Sequence, residues 1–215
     1  LLDRWGKEDP AVLNEGLTAI KSETDYMKQL TERLLFFARS NNGTLIKHFT
    51  EIDTAQLLQE VYSEITLIDK EHDIRLTDND KAVIIAEPGS VKQMLRIFID
   101  NAIKYTPAGK QITLSCRADE KEVIYRIADT GIGIPEKDLN RVFERFYRVD
   151  SSRTKATGGS GLGLSIAQYI AKANKAEITL ESKVHEGTTV SVIFPLKNGD
   201  KNLGSDSEEA TRKLS

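Results

Sequence analysis

The chain is short of the residues that mark several common protein classes. A single cysteine, Cys116, stands among 215 residues. One thiol closes no internal disulfide and falls far short of a metal cage, so a reducing compartment fits, with Cys116 as a small buried hydrophobe. The three histidines, His48, His72 and His185, show no metal-ligand spacing. No apolar run approaches the roughly 18–20 residues that span a bilayer. Nor is there a signal-peptide pattern, because Asp3, Arg4, Lys7, Glu8 and Asp9 interrupt the first turns. Basic and acidic residues number 30 and 33, giving a formal net charge of −3. They are interspersed, so there is no broad basic field and no nucleic-acid partner is expected.

What is present is a 39% hydrophobic chain, enough for one core of ~150 residues and a smaller element. Leu1-Leu2-Asp3-Arg4-Trp5 begins in mid-helix character without an initiator Met. The chain is therefore expected to be a piece of a longer protein, with any membrane attachment coming only through upstream segments. Residues 1–8 read as a helix end, broken at Asp9-Pro10. From Ala11 to about Asn41, Leu13, Leu17, Ile20, Met27, Leu30, Leu34 and Phe37 form a heptad-like stripe, and Asn41-Asn42-Gly43 ends it. Such a stripe points to a bundle or dimer; packing on the chain's own domain is the alternative.

Strands and helices then alternate. Strands are expected at Phe49–Ile52, Ile74–Leu76, Ala82–Ala86, Gln111–Arg117, Glu122–Ala128, Ala176–Glu181 and Thr188–Phe194. Helices are expected at Thr54 to about Lys70, Val91 to about Tyr105, Pro135–Val149 and Gly161–Ala173. Asp53 or Thr54 would cap the first of these. The class is α+β, a two-layer sandwich with helices on one face of a mixed sheet. The expected domains are a partial helical hairpin over 1–43, a sandwich over 44–198 and a disordered polar tail over 199–215.

Three motifs carry chemistry. Asn101, Lys104 and Tyr105 lie at i, i+3 and i+4 of one helix, where an amide, an ammonium and an aromatic hydroxyl share a side. Together they suit a metal, a phosphate and a base, although an ordinary polar helix end also fits. Asp129-Thr130-Gly131-Ile132-Gly133-Ile134 follows a strand. There a carboxylate can accept from an adenine amine while glycines let the backbone pass beneath a flat ring; the alternative is a tight strand-to-helix turn. Gly158-Gly159-Ser160-Gly161-Leu162-Gly163-Leu164-Ser165 opens a helix, and backbone N–H groups at such a start suit phosphate. This segment is neither a Walker loop nor a good dinucleotide fingerprint. A flexible linker is its bland alternative.

In this order the motifs resemble those of the GHKL ATPases, and within them the bacterial sensor histidine kinases. Asp100–Pro107 resembles their N box, Asp129–Ile134 the first glycine box, Phe143–Arg148 the F box, Gly159–Leu164 the second glycine box and Gly187–Thr189 the third. The match covers roughly residues 45–197. It implies a Bergerat-type ATP-binding fold, with ATP and Mg²⁺ as cofactors. In that frame Asn101 ligates Mg²⁺, Asp129 reads adenine, Tyr105 packs on the nucleotide and Lys104 contacts phosphate. Gly131, Gly133, Gly159, Ser160, Gly161, Leu162, Gly163 and Thr189 line the nucleotide, and Ser151–Ser160 forms a mobile lid. Arg145 and Arg148 are candidates for γ-phosphate stabilisation, with surface ion pairs as their alternative, while Phe143 and Phe146 would anchor the lid as core.

The resemblance also implies phosphoryl transfer to a histidine of a dimerising helical hairpin, and then to an aspartate of a response-regulator receiver domain. Ala11–Asn41 would be the hairpin's second helix, and the acceptor histidine would lie upstream, so the fragment alone should not label itself. The fragment would be the cytoplasmic portion of a protein in the bacterial cell membrane. His72-Asp73-Ile74-Arg75 imitates the acceptor motif but lacks its Thr-Pro and precedes a strand. Many relatives carry Asn four residues before Asn101 and ATP-hydrolysing cousins carry Glu; this chain has Ile97. A hydrocarbon cannot act as a general base, so little ATP hydrolysis is expected. The rival functions are a GHKL ATPase or chaperone module and a non-catalytic dimerisation module.

Overall fold

A computed structural model describes residues 10–21, 23, 24, 27, 31, 48–149 and 161–196. Residues 10–21 are helical, as are residues 23, 24, 27 and 31. Along this helix Leu13, Leu17, Ile20 and Met27 are exposed. The proposed helix end at 41–43, the Ser151–Ser160 lid and the polar tail lie outside the described residues.

Strand β1 (Thr50–Asp53) pairs antiparallel with β3 (Val83–Ala86) in a two-stranded ribbon. The main sheet has five strands: β2 (Asp73–Asn79), β4 (Gln111–Ala118), β5 (Glu122–Asp129), β7 (Gly187–Pro195) and β6 (Glu177–Lys183), in that spatial order. Strands β2 and β4 run parallel, and every other pairing is antiparallel. Helices α1 (Thr54–Ile68), α2 (Pro88–Tyr105) and α4 (Gly163–Ala173) cover one face, α1 over β2 and β4, α2 over β5 and α4 over β6. The mixed sheet with helices on one face is the α+β sandwich expected from the sequence.

Period-two patterning explains the layers. Ile112, Leu114 and Cys116 of β4, Val123, Tyr125 and Ile127 of β5, and Val190, Val192 and Phe194 of β7 are all buried. They alternate with residues on the outer face, such as Thr113, Arg117, Arg126 and Thr189. The Tyr125 ring meets Phe194 edge-on at 6.0 Å, and its hydroxyl donates to the Thr54 carbonyl at 3.2 Å, which satisfies the one polar atom of a large buried side chain. Opposite them, Leu57, Leu58, Val61 and Ile65 form the buried stripe of α1. Asp53 caps α1, accepting from the Gln56 N–H at 3.0 Å.

Two helix boundaries differ from expectation. Pro88-Gly89-Ser90 is the first turn of α2 and not a turn before it. The Glu87 carboxylate accepts from the Gly89 and Ser90 N–H groups at 3.0 and 2.6 Å, and Pro at the first helical position has no N–H to satisfy. The helix expected over Pro135–Val149 is a single turn, α3 (Glu136–Leu139), followed by turns. There the Asp138 carbonyl accepts from both Arg141 and Val142 N–H, and Phe146 takes a φ of 64°, which no helix accommodates.

Candidate functional site

Helix α2 is the spine of the site. The Tyr105 carbonyl, in its last turn, accepts from the Ile132 N–H at 3.1 Å, fastening the first glycine segment to the helix. Two turns earlier, Ile97 Cγ2 lies 3.3 Å from where a Cβ would stand on Gly163, at the start of α4. Ile97, Asn101 and Tyr105 follow one another at i+4, so they share one side of α2. Asn101, half-buried, is therefore one turn from the first glycine segment and one turn from the second. Lys104 lies beside it, its ammonium 5.1 Å from the Tyr105 ring centroid.

Asp129 ends β5, and its carboxylate accepts from the Gly131 N–H at 2.8 Å. Burial raises the Asp129 carboxyl above its usual range, against the opposing pull of the Gly131 and Thr188 amides and the Thr106 hydroxyl. The Thr106 hydroxyl acts on that charge from nearby without meeting hydrogen-bond geometry. Its Oγ1 is buried and, among the described residues, has no hydrogen-bond partner. Gly131 is required by close approach: a Cβ there would run into the Tyr105 carbonyl oxygen and crowd Asp129 Oδ1 and Thr106 Oγ1. Gly187 is required twice over, because its φ is 116° and a Cβ would strike the Asp129 carbonyl oxygen. Thus Asp129, Tyr105, Thr106 and the glycine turns at Gly131 and Gly187 meet at one end of the sheet, while Gly163 lies two helical turns away against Ile97.

The chain matches the family model described as histidine kinase-, DNA gyrase B-, and HSP90-like ATPase over residues 86–198. It is 40% identical over 198 residues to the signal transduction histidine-protein kinase ArlS of Staphylococcus aureus, a match covering 90% of this chain and 43% of that protein.

The chain belongs to the histidine kinase-, DNA gyrase B- and HSP90-like ATPase family.

It is similar to the ATP-binding catalytic domains of sensor histidine kinases, and it spans less than half the length of the curated kinases it matches. Among solved structures, the catalytic domain of histidine kinase ThkA is 25% identical, with a TM-score of 0.60 over 69% of this chain and 96% of that one. Full-length ShkA in complex with AMPPNP is 25% identical, with a TM-score of 0.67 over 84% of this chain and 38% of that one.

Within this domain the remaining candidates divide. Gly133 and Gly161 both take a φ of 68°, while Leu162 is buried just before α4. The Phe146 N–H donates to the Gly161 carbonyl at 2.9 Å, so the chain on either side of residues 150–160 is tied together. Arg145 and Arg148 are exposed on the turns beside that tie. Phe146 is 53% exposed, so it makes this tie through its backbone and is not the core residue expected. Tyr147 does the side-chain anchoring: its hydroxyl donates to Asp138 Oδ1 at 2.6 Å, and Arg141 stacks on its ring at 4.2 Å. Gly159 and Ser160 lie outside the described residues.

Thr189 is placed differently from expectation. It pairs with Ala128, while Thr188 pairs with Asp129. Since Ile127 and Val190 face the core, the pleat puts Thr188 on the Asp129 side and turns Thr189 to the outer face. Thr188 and Thr106 stand beside Asp129 although neither was singled out from the sequence. A Gly-Thr-Thr run signals the position but not which threonine points inward, and Thr106 lay within the N-box match with no role of its own.

The histidine ambiguity also resolves. Both ring nitrogens of His72 are engaged and its side chain is only 5% exposed, so it offers no free nitrogen to a phosphoryl group. His185 sits in the β6–β7 turn, its N–H donating to the Ile132 carbonyl at 2.8 Å. No helix among the described residues is long and apolar enough to cross a membrane.

Proposed function

We propose that this domain binds Mg-ATP between α2 and the three glycine segments and donates the γ-phosphate to a histidine of a dimerisation hairpin, for relay to a response-regulator aspartate. The observation that carries the reading is the position of Asn101 on α2, one turn from the contact with each of two glycine segments, with the Asp129 carboxylate bonded to the first of them. Asp129 accepts from the adenine amine, and its burial excludes the water that would compete for that bond. Thr106 Oγ1, buried and unpartnered among the described residues, and Thr188 supply further polar contacts beside it. The Tyr105 ring packs on the nucleotide, and Lys104 faces phosphate.

The donor set fits magnesium. Among the described residues no group of three or more His, Cys, Asp or Glu side chains gathers to cage a metal. Magnesium tolerates this, because it keeps several waters and is held largely by the phosphates, so one hard oxygen such as that of Asn101 suffices. Bound there, it would neutralise phosphate charge. Phosphoryl transfer is chiefly positioning and charge neutralisation. On this reading Lys104 positions phosphate, while Arg145 and Arg148 bring positive charge from the lid flank. The stripe of Leu13, Leu17, Ile20 and Met27 belongs to the hairpin and pairs with a second copy.

Calorimetry with ATP, with and without Mg²⁺, tests the reading. Wild-type binding should strengthen with Mg²⁺, and Asn101→Ala should lose that enhancement while still binding adenosine. Failure of the wild-type chain to bind ATP under any of these conditions would leave the non-catalytic rival standing. Fast steady-state turnover of ATP would instead favour the ATPase rival.

A further inference from the structure

The contacts around His72 reach the nucleotide site by a route the motifs do not describe. Its Nδ1 faces both Asp69 carboxylate oxygens, at 3.0 and 2.9 Å, and its Nε2 faces the Thr106 carbonyl oxygen at 2.9 Å. All three oxygens only accept. A neutral imidazole has one N–H and would turn a lone pair onto an acceptor, so this geometry calls for an imidazolium with both nitrogens donating. The ring also stands at two helix C-termini, since Asp69 caps α1 and Thr106 caps α2, where a cation is favoured. Thr106 in turn stands against Gly131 and Asp129.

We propose that His72 is a positioning residue of the nucleotide site: by gripping Asp69 and the Thr106 carbonyl at once, it fixes the end of α2 against the Asp129 recess, and nucleotide affinity falls when the grip is lost. The inference rests on the ATP-binding reading above. The same loop is stitched to the turn after α2 by the Gly109 N–H donating to the Glu71 carbonyl at 2.7 Å and the Asp73 N–H donating to the Lys110 carbonyl at 3.0 Å. Those two bonds hold the backbones together, and the ring adds the one contact to Thr106 itself.

Ionisation follows from the surroundings. Burial pushes the His72 ring below its usual range, but the Thr106 carbonyl, the Asp69 carboxylate and the more distant Glu71 outweigh it, and the net direction is upward. From the facing turn Lys110 engages the Thr130 carbonyl at 3.4 Å. A raised pKa keeps the grip below the ordinary histidine range and releases it as pH climbs through the raised value.

Three measurements on the full chain test the proposal. First, the His72 imidazole of the wild type should show both nitrogens protonated by NMR at neutral pH, a readout independent of any variant. Second, Mg-ADP titrations from pH 6 to pH 9 should show His72→Gln binding about fivefold more weakly than wild type at the acid end, on the scale of part of one charge-assisted hydrogen bond. The ratio should approach one at the alkaline end, and protonation of ADP itself cancels in it. Third, Asp69→Asn should move the midpoint of that convergence to lower pH, which a purely space-filling role would not do. A neutral ring at pH 6–7, or a ratio that does not change with pH, overturns the proposal while leaving ATP binding intact. Absence of wild-type Mg-ADP binding at every pH would overturn both readings.

Discussion

At Asp129, folding and binding pull in opposite directions. Burial raises its carboxyl, so the charged form costs stability while the proposed adenine contact needs it. The sign is that of a group whose contribution to stability is full at low pH and lost as pH rises through its raised value. Asp129→Asn should therefore leave the melting temperature unchanged or higher, yet weaken ATP binding by ~10-fold or more, as loss of a charged acceptor does. Calorimetry and thermal melts on the same sample check both halves. Gly187 has no such trade. Gly187→Ala must place a side chain at a φ of 116° against the Asp129 backbone, costing at least ~1–3 kcal/mol in strain, and a urea titration reads the loss directly. Residue identity alone did not reveal His72 or Thr106, because their contact joins a side chain to a main-chain oxygen 34 positions away. Nothing in a linear pattern announces a carbonyl as a partner.

Among the elements, α2 and α4 are locked by one buried amide. The Asn174 Oδ1 accepts from the Glu87 N–H at 2.9 Å, and its Nδ2 donates to Ser90 Oγ and to the Ile170 carbonyl, at 3.0 and 2.9 Å. This joins the end of α4 to the first turn of the helix that carries Asn101. Asn174→Ala should leave the Glu87 N–H without that acceptor, at a cost of ~1–3 kcal/mol, and chemical denaturation should show it. Strands β4, β5 and β7 were legible because alternate residues are apolar and the other face is solvated. The helix predicted over Pro135–Val149 was misread because its charged and apolar residues keep a helical spacing while Asp138 and Tyr147 close a turn instead. Which of Thr188 and Thr189 faces Asp129 was not legible for another reason: a strand's facing inverts with a shift of one residue, and only the pairing register decides it.

For the molecule as a whole, charge balance sets a working range of pH. Burial would raise Asp69, but the His72 ring and the His72 and Glu71 amides hold it below its usual value. Its contribution is present above the ordinary carboxylate range and fades as pH falls through the depressed value. The His72 contribution is full below about pH 6.5 and fades as pH rises through the raised value. Urea midpoints should thus decline from pH 6 to pH 9 in the wild type and decline less in His72→Gln. Turnover is a second whole-molecule property. With Ile97 packed under Gly163 and a hydrocarbon side chain unable to act as a general base, steady-state ATP hydrolysis should stay low, and no acid-labile phosphate should accumulate on the chain; radiolabelled ATP checks both. The order of the main sheet carries one more consequence. Its two outermost strands are β2, with Asp73, Arg75 and Asp78, and β6, with Glu177, Glu181 and Lys183. A stray strand seeking unpaired amides along either rim would have to strip water from these ions first. The fold therefore resists fibre growth at its margins, where copies brought close together would otherwise pair edge to edge.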